Sequence, residues 1–381
     1  MTDFRDEAIN MLLRGRIEAG DFPSAVYLVG RGREAVYAGA LGNAVVEPER
    51  IAADTATIYD LASLTKVLVT TLFAAILIDR ERLSVDARLS EVLPEASGSA
   101  FAGTTILQLA THTSGLPAWR PLYLLAKDRE DVLNVILNTL PAPERDVVYS
   151  DLNFILLAFV IEKLTGQRLD SAAGELVFEP LGLRDTFYRP TIDLRRRIAA
   201  SEHGNQFERE TCEREGYLGS EDAREKADLW LRKEPIWGEV HDGNAYFMEG
   251  VAGHAGLFST AADVFLIARQ FMPETTSLLR PETCNLFSRN FTSGKAEDRS
   301  FGFQLATTKD STAGSCLSPQ SFGHLGFTGT SLWIDPVRQT VFILLTNRTH
   351  DHGLPLVNIN SVRREFNSLA SHIFGDKLLG L

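Results

Sequence analysis

Two β-hairpins stand at opposite ends of this 381-residue chain, with a long helical stretch between them. The first pairs a strand over 24–29 with one over 34–40 across the turn Gly30-Arg31-Gly32-Arg33. The second pairs 330–334 with 340–346 across Asp335-Pro336-Val337-Arg338-Gln339. Both are runs of β-branched and aromatic residues broken by turn-forming ones. Tight hairpins join antiparallel strands, so they exclude a doubly wound parallel sheet. The pattern predicts an α+β fold in which both chain ends build one antiparallel sheet flanked by helices. Residues 1–60 and 250–381 then form a discontinuous sheet unit, and 61–249 a mainly helical unit.

The remaining elements follow from apolar spacing. Helices are expected over 3–20, 64–80, 105–112, 128–138, 152–165 and 170–177. Thr260 and Asp263 have capping-box spacing and open a helix through Phe271, and a last helix covers about 356–373. The stretch from about 190 to 245 is highly charged and poor in aliphatic residues, which predicts long surface loops. The turn at Gly30 also fits a G-x-G-x-x-A dinucleotide fingerprint, but that motif must open a helix. Here Ala35-Val36-Tyr37-Ala38-Gly39 continues as strand, so no nucleotide cofactor is expected.

Charge narrows the partners. Lys and Arg number 38 against 50 Asp and Glu, a net charge of −12. Nucleic acid and anionic membranes call for basic patches, and none is visible. Cys212, Cys284 and Cys316 fit neither a zinc spacing nor a disulfide framework. The beginning Met1-Thr2-Asp3-Phe4-Arg5-Asp6-Glu7 has no basic-then-apolar leader, and the apolar run over 67–78 is too short to span a bilayer. A cytoplasmic location is the expectation, or a periplasmic one if the true start lies elsewhere. Oligomeric state has no signature here.

Chemistry concentrates in a few segments. Ser63-Leu64-Thr65-Lys66 lies where an extended stretch runs into an apolar helix, and residues three apart share a helix face. A desolvated lysine beside a serine can take its proton and make it nucleophilic. Tyr149-Ser150-Asp151 sets a phenol and a carboxylate at the start of another helix. His324-Leu325-Gly326-Phe327-Thr328-Gly329 is a glycine-rich strand that lets a substrate backbone come close. The bland alternatives are a capping serine at Ser63, a core tyrosine at Tyr149, a helix N-terminal charge at Asp151 and an outward-facing His324. His112 and Ser114 read as turn residues. His241, Asp242 and His254 lack regular metal-ligand spacing, so no metal is expected. No serine has the flanking glycines of a nucleophile elbow.

In their order, these segments resemble the serine β-lactamase and penicillin-binding-protein superfamily, in its class C β-lactamase-like branch with its esterases and D-aminopeptidases. The elements S-x-x-K, Y-x-N and K-T-G or H-x-G correspond to Ser63-Leu64-Thr65-Lys66, Tyr149-Ser150-Asp151 and His324-Leu325-Gly326. The flanks His112-Thr113-Ser114-Gly115-Leu116-Pro117 and Gly253-His254-Ala255-Gly256-Leu257-Phe258-Ser259-Thr260 also resemble it. The resemblance covers about residues 20–370. It implies a β-lactamase/transpeptidase-like fold with the site between the sheet and a helical domain. Ser63 carries the acyl group, Lys66 takes its proton, and Tyr149 passes protons to the leaving group. The Ser63 and Phe327 N–H groups form the oxyanion hole, with Gly326 leading into it, and no cofactor or metal is required.

Two departures bear on substrate. The family's asparagine is Asp151, which can accept but not donate a hydrogen bond while ionised; paired with Lys66 it raises the lysine's pKa and blunts its basicity. The lysine of K-T-G is His324, so a fixed positive charge for a substrate carboxylate is lost. The expectation is a serine hydrolase of carboxylic esters or small amides, with β-lactams as incidental substrates. The alternatives are a β-lactamase or D-amino-acid peptidase proper, and a sensor that is acylated by penicillin without turning it over.

Overall fold

A computed structural model describes residues 4–142 and 146–375. Its main sheet has seven strands: β1 (Ser24–Arg31), β2 (Glu34–Val45), β3 (Ile51–Ala52), β7 (Gln304–Leu305), β8 (Phe322–Leu325), β9 (Ser331–Asp335) and β10 (Thr340–Thr346). The order is β3-β2-β1-β10-β9-β8-β7, antiparallel throughout. A smaller sheet joins β4 (Tyr59–Asp60), β6 (Leu257–Ser259) and β5 (Phe187–Tyr188). The α+β expectation holds, and so do both hairpins. Residues 1–3 and 376–381, which the expected N-terminal helix and sheet unit touch, lie outside the described residues.

The first and last hairpins meet edge to edge, with Ala25 opposite Thr346 and Val29 opposite Phe342. Strand side chains alternate between faces, and β1 divides accordingly. Ala25, Tyr27 and Val29 pack with Ile9, Leu13 and Phe366 of the terminal helices Phe4–Glu18 and Asn360–Gly375. Val26 and Leu28 face the larger core with Val264 and Phe265 of the helix Ala261–Ala268. Burial on both faces explains why β1 and β10 are almost unbroken apolar runs.

The larger core continues into the helical middle of the chain. Its axis is the segment after Ser63, a π-helical stretch Lys66–Thr71 followed by the α-helix Leu72–Asp79, buried through Leu77. The widened turn sits at the residue the sequence singles out, where π-turns often occur. The Asp151–Thr165 helix packs beside it and ends at Gly166, whose positive φ closes the last turn.

The region from about 190 to 245 differs from the expected loops. It holds the helices Gln206–Arg214 and Glu221–Trp230, with Gly243–Phe247 following. Ile198, Ala200, Cys212, Ala227, Leu231, Ile236 and Trp237 are all buried. The charged residues that mask this pattern are paired, as in Arg209–Asp228 and Arg197–Asp185. Half-buried Arg232 is held by the Asn205 side chain and by the Val240 and His241 carbonyls.

Gly253 locks the central helices to the smaller sheet. A β-carbon there would collide with the Phe154 carbonyl and the Ala158 methyl, while the Gly253 carbonyl accepts from Thr70 Oγ1 at 2.7 Å. Gly253→Ala should lower unfolding free energy by roughly 1–3 kcal/mol, the usual cost of overpacking. Urea denaturation checks this; an unchanged midpoint would show that the segment gives way freely.

Candidate active site

Ser63 is placed by a turn that has little freedom. β4 ends at Asp60, and Ala62 takes a left-handed conformation with φ of 46°. The Asp60 carboxylate holds this turn by accepting from the Ala62 N–H at 2.9 Å and the His241 N–H at 2.7 Å. The strand that follows His324 docks onto the same turn, with Thr328 Oγ1 donating to the Asp60 carbonyl and Thr330 Oγ1 to that of Leu61. Gly326 is required at this junction, because a side chain there would strike the Leu61 carbonyl and Thr330. The Phe327 and Ser63 backbone N–H groups have no acceptor among the described residues.

Lys66 is fully buried beneath Ser63. Its Nζ lies 2.8 Å from Ser63 Oγ, 2.7 Å from Asp151 Oδ1 and 3.1 Å from the His254 carbonyl. An ammonium has three N–H groups, and three acceptors surround it. Burial works against its charge, but Asp151 and then Tyr149 outweigh that and leave its pKa above the ordinary lysine value. The pairing of Asp151 with Lys66 is therefore present, with the effect on the lysine that the sequence suggested. Lys66 also lies 5.1 Å from the centre of the Tyr149 ring, and the Arg299 guanidinium lies 5.4 Å from it.

Tyr149 stands among histidines. The His112 ring is 4.6 Å from it and the His324 ring 5.8 Å, centre to centre. His112 is more than a turn residue: it is buried, and its Nδ1 accepts from the Ser150 N–H at 3.0 Å. His324 Nδ1 lies 2.9 Å from the Leu325 carbonyl. Burial, reinforced by the charges of Lys66 and Arg299, pushes both imidazoles well below the ordinary histidine range. His324 is thus a neutral group near pH 7, and its ring faces the site.

Ser63, Tyr149, Asp151, His324, Gly326 and Phe327 all line one cavity of about 700 Å³. The structure also brings in residues that the sequence analysis set aside. Asp242 lines the cavity, bonds His254 Nε2 at 2.9 Å, and has its pKa lowered by His254 and a backbone N–H despite burial. Asp151, Asp242 and His254 bring ligand-type atoms within 4.8 Å of one another, the one such grouping among the described residues. A cation held there shares the space with the Lys66 ammonium. His241 lines the same cavity outside this grouping, bonding Glu202 at 2.7 Å and stacking on Phe327 at 5.4 Å.

The cavity lining also carries Arg348 and Arg363 beside Phe327. Arg363 is buried and donates to the Gly326 and Thr330 carbonyls at 2.9 and 3.0 Å; Arg348 donates to the Phe327 carbonyl at 2.8 Å. Neither has a carboxylate partner among the described residues. Burial lowers the pKa of both guanidiniums. No local sequence signal marks either arginine, since one follows a strand and the other lies within the last helix.

Comparison with known proteins agrees with the motif resemblance. A family model described as Beta-lactamase matches residues 9–362. A putative D-alanyl-D-alanine carboxypeptidase of Escherichia coli K12 is 31% identical, over 91% of this chain and 84% of that protein. A Salmonella typhimurium protein of the same description is 30% identical over the same shares. Among solved structures, a class C beta lactamase from Rhodobacter sphaeroides superposes with a TM-score of 0.70 at 20% identity, covering 97% of this chain and 99% of that one. EstCE1, described as a hydrolase with promiscuous acyltransferase activity, gives a TM-score of 0.71 at 21% identity, over 96% and 100% of the two chains. The fold is therefore β-lactamase/transpeptidase-like. No helix among the described residues is long and apolar enough to cross a membrane.

The buried neutral histidine gives a signed prediction. A histidine whose folded pKa is depressed stabilises fully above its unfolded value near 6.5, and that contribution is lost as pH falls below it. The stability of wild type relative to His324→Asn should thus fall by about 1.4 kcal/mol per pH unit between pH 6.5 and 5. Paired urea titrations at pH 7.5 and 5.5 measure it; a constant difference contradicts burial of a neutral ring.

Proposed function

The chain belongs to the Beta-lactamase family, and from that premise we propose that it hydrolyses carboxylic esters or small amides through an acyl-enzyme on Ser63. The observation that carries this reading is the Ser63 hydroxyl, 2.8 Å from the buried Lys66 amine, at a cavity wall that also bears the Phe327 N–H. Ser63 Oγ attacks the acyl carbon, and the two free N–H groups receive the developing oxyanion. Lys66 rests as an ammonium, so it accepts the serine proton as it passes one of its own to Asp151, leaving the net charge of the trio unchanged. Tyr149, its phenol beside that ammonium, delivers a proton to the leaving group and then helps water attack the acyl-enzyme.

A second reading, a D-amino-acid peptidase or a β-lactamase, gains support from Arg348 and Arg363. From sequence, His324 removes the positive charge that would hold a substrate carboxylate. Two guanidiniums without acidic partners put positive charge back on the same wall. The relatives described as putative carboxypeptidases favour the same direction.

Steady-state turnover of p-nitrophenyl esters, a chromogenic cephalosporin and D-alanyl-D-alanine peptides tests both readings. Ser63→Ala should lower turnover of every accepted substrate by about 10³-fold or more, and Tyr149→Phe by about 10²–10⁴-fold. Arg348→Gln should raise KM for the carboxylate-bearing substrates only. Ester turnover by Ser63→Ala at the wild-type rate contradicts the proposal.

A further inference from the structure

The helix Gln206–Arg214 lines the cavity, with its Phe207 ring 4.9 Å from that of Phe327, centre to centre, and it was unreadable in the sequence. Glu208, Thr211 and Glu215 recur there at helical spacing and all line the cavity. Glu208 is the unusual member, because it is 7% exposed and forms no ion pair. Its Oε1 accepts from the Gly243 N–H at 2.7 Å, while Oε2 is buried with no hydrogen bond of normal geometry. The Tyr123 hydroxyl touches both Cys212 Sγ, at 3.4 Å, and the Glu208 carboxylate, but it is a neutral neighbour and supplies no counter-charge.

The cationic groups near Glu208 are committed to other partners. His241 bonds Glu202, and Arg232 spends its guanidinium on Asn205 and two backbone carbonyls. Asp242, one residue before Gly243, adds a second negative charge to this wall. Burial and that charge push the Glu208 carboxyl up to about 7, so the lone site makes ionisation costly. A buried carboxylate without a counter-ion loses free energy that a cationic ligand can restore. Gly243 is required for the arrangement, because a β-carbon there would run into Glu208 Oε2.

We propose that Glu208 is the recognition residue for a protonated amino group, so that the site takes acyl compounds bearing a free ammonium, of the aminoacyl ester or amide type. This rests on the reading of the cavity as a substrate site and adds to it a polarity. An ammonium sits against the Glu208 and Asp242 wall, and anionic or carbonyl groups sit toward Arg348 and Arg363. The charge pattern fits a zwitterionic, amino-acid-like ligand with its reactive carbonyl at Ser63.

The test separates binding from turnover by using Ser63→Ala protein. Dissociation constants are measured by calorimetry or NMR at pH 7.5 for both enantiomers of alanine anilide and for the hydroxy analogue, lactic anilide. The amine ligand should bind at least tenfold more tightly than its neutral counterpart in one enantiomeric series. A Glu208→Gln change on the same background, which keeps the Gly243 hydrogen bond, should cut that preference to threefold or less. Glu208→Asp should retain most of it, and Glu210→Gln, exposed on the same helix and outside the cavity lining, should retain all of it. If Glu208→Gln folds poorly, Glu208→Ala on the same background takes its place and must cut the preference to the same extent; a preference it leaves untouched overturns the proposal. Equal or absent binding of the amine ligand, or a preference untouched by Glu208→Gln, overturns the proposal. Neither result affects the Ser63 chemistry, which ester turnover reads independently.

Discussion

A charged lysine buried beneath the nucleophile is the constraint on which this site depends. An ammonium in that position is costly unless every N–H is met by an acceptor and a counter-ion is close. Lys66 has Ser63 Oγ, the Asp151 carboxylate and the His254 carbonyl, which come from segments far apart in the chain. Each partner needs its own support. Asp60 holds the turn before Ser63, the Gly253 junction fixes the backbone at His254, and Asp151 opens a helix packed against the lysine's own. Losing any one of them leaves a desolvated charge short of a partner, so the fold around Lys66 and the chemistry above it are not separable.

The same economy of charge organises the wider cavity. Asp242 is matched by His254 and Glu202 by His241, which leaves Glu208, Arg348 and Arg363 without partners of opposite sign among the described residues. All three line the same cavity of about 700 Å³. Neutral His112 and His324 pack on Tyr149, which also faces the Lys66 ammonium and the Arg299 guanidinium. Charges left without counter-ions at a cavity are a pattern more typical of ligand sites than of structural support, and it motivates the proposed recognition role.

How much of this was legible in the sequence depended on whether the signal was local. The hairpins at 24–45 and 331–346 were readable because alternation and turn residues lie within a few positions of one another. Ser63 and Lys66 were readable because their spacing is helical. The effect of Asp151 on Lys66 followed from one substitution in a known pattern. By contrast, the 190–245 region was misread as loops because its charged residues hide a sparse apolar stripe. Arg232 in particular is held through carbonyls that no pattern announces. The Asp242–His254 pair, Glu208 and the two arginines are fixed by contacts that span from 9 to 37 residues at irregular spacings, and no spacing rule reports those.

The central claim is that Ser63 carries the covalent intermediate. Incubating the protein with a fluorophosphonate and, separately, with penicillin, then mapping the modified peptide by mass spectrometry, tests it most directly. The account predicts a fluorophosphonate adduct on Ser63 within the peptide that also holds Lys66, lost in Ser63→Ala and slowed in Tyr149→Phe. An adduct on any other residue, with Ser63 unmodified, would contradict it.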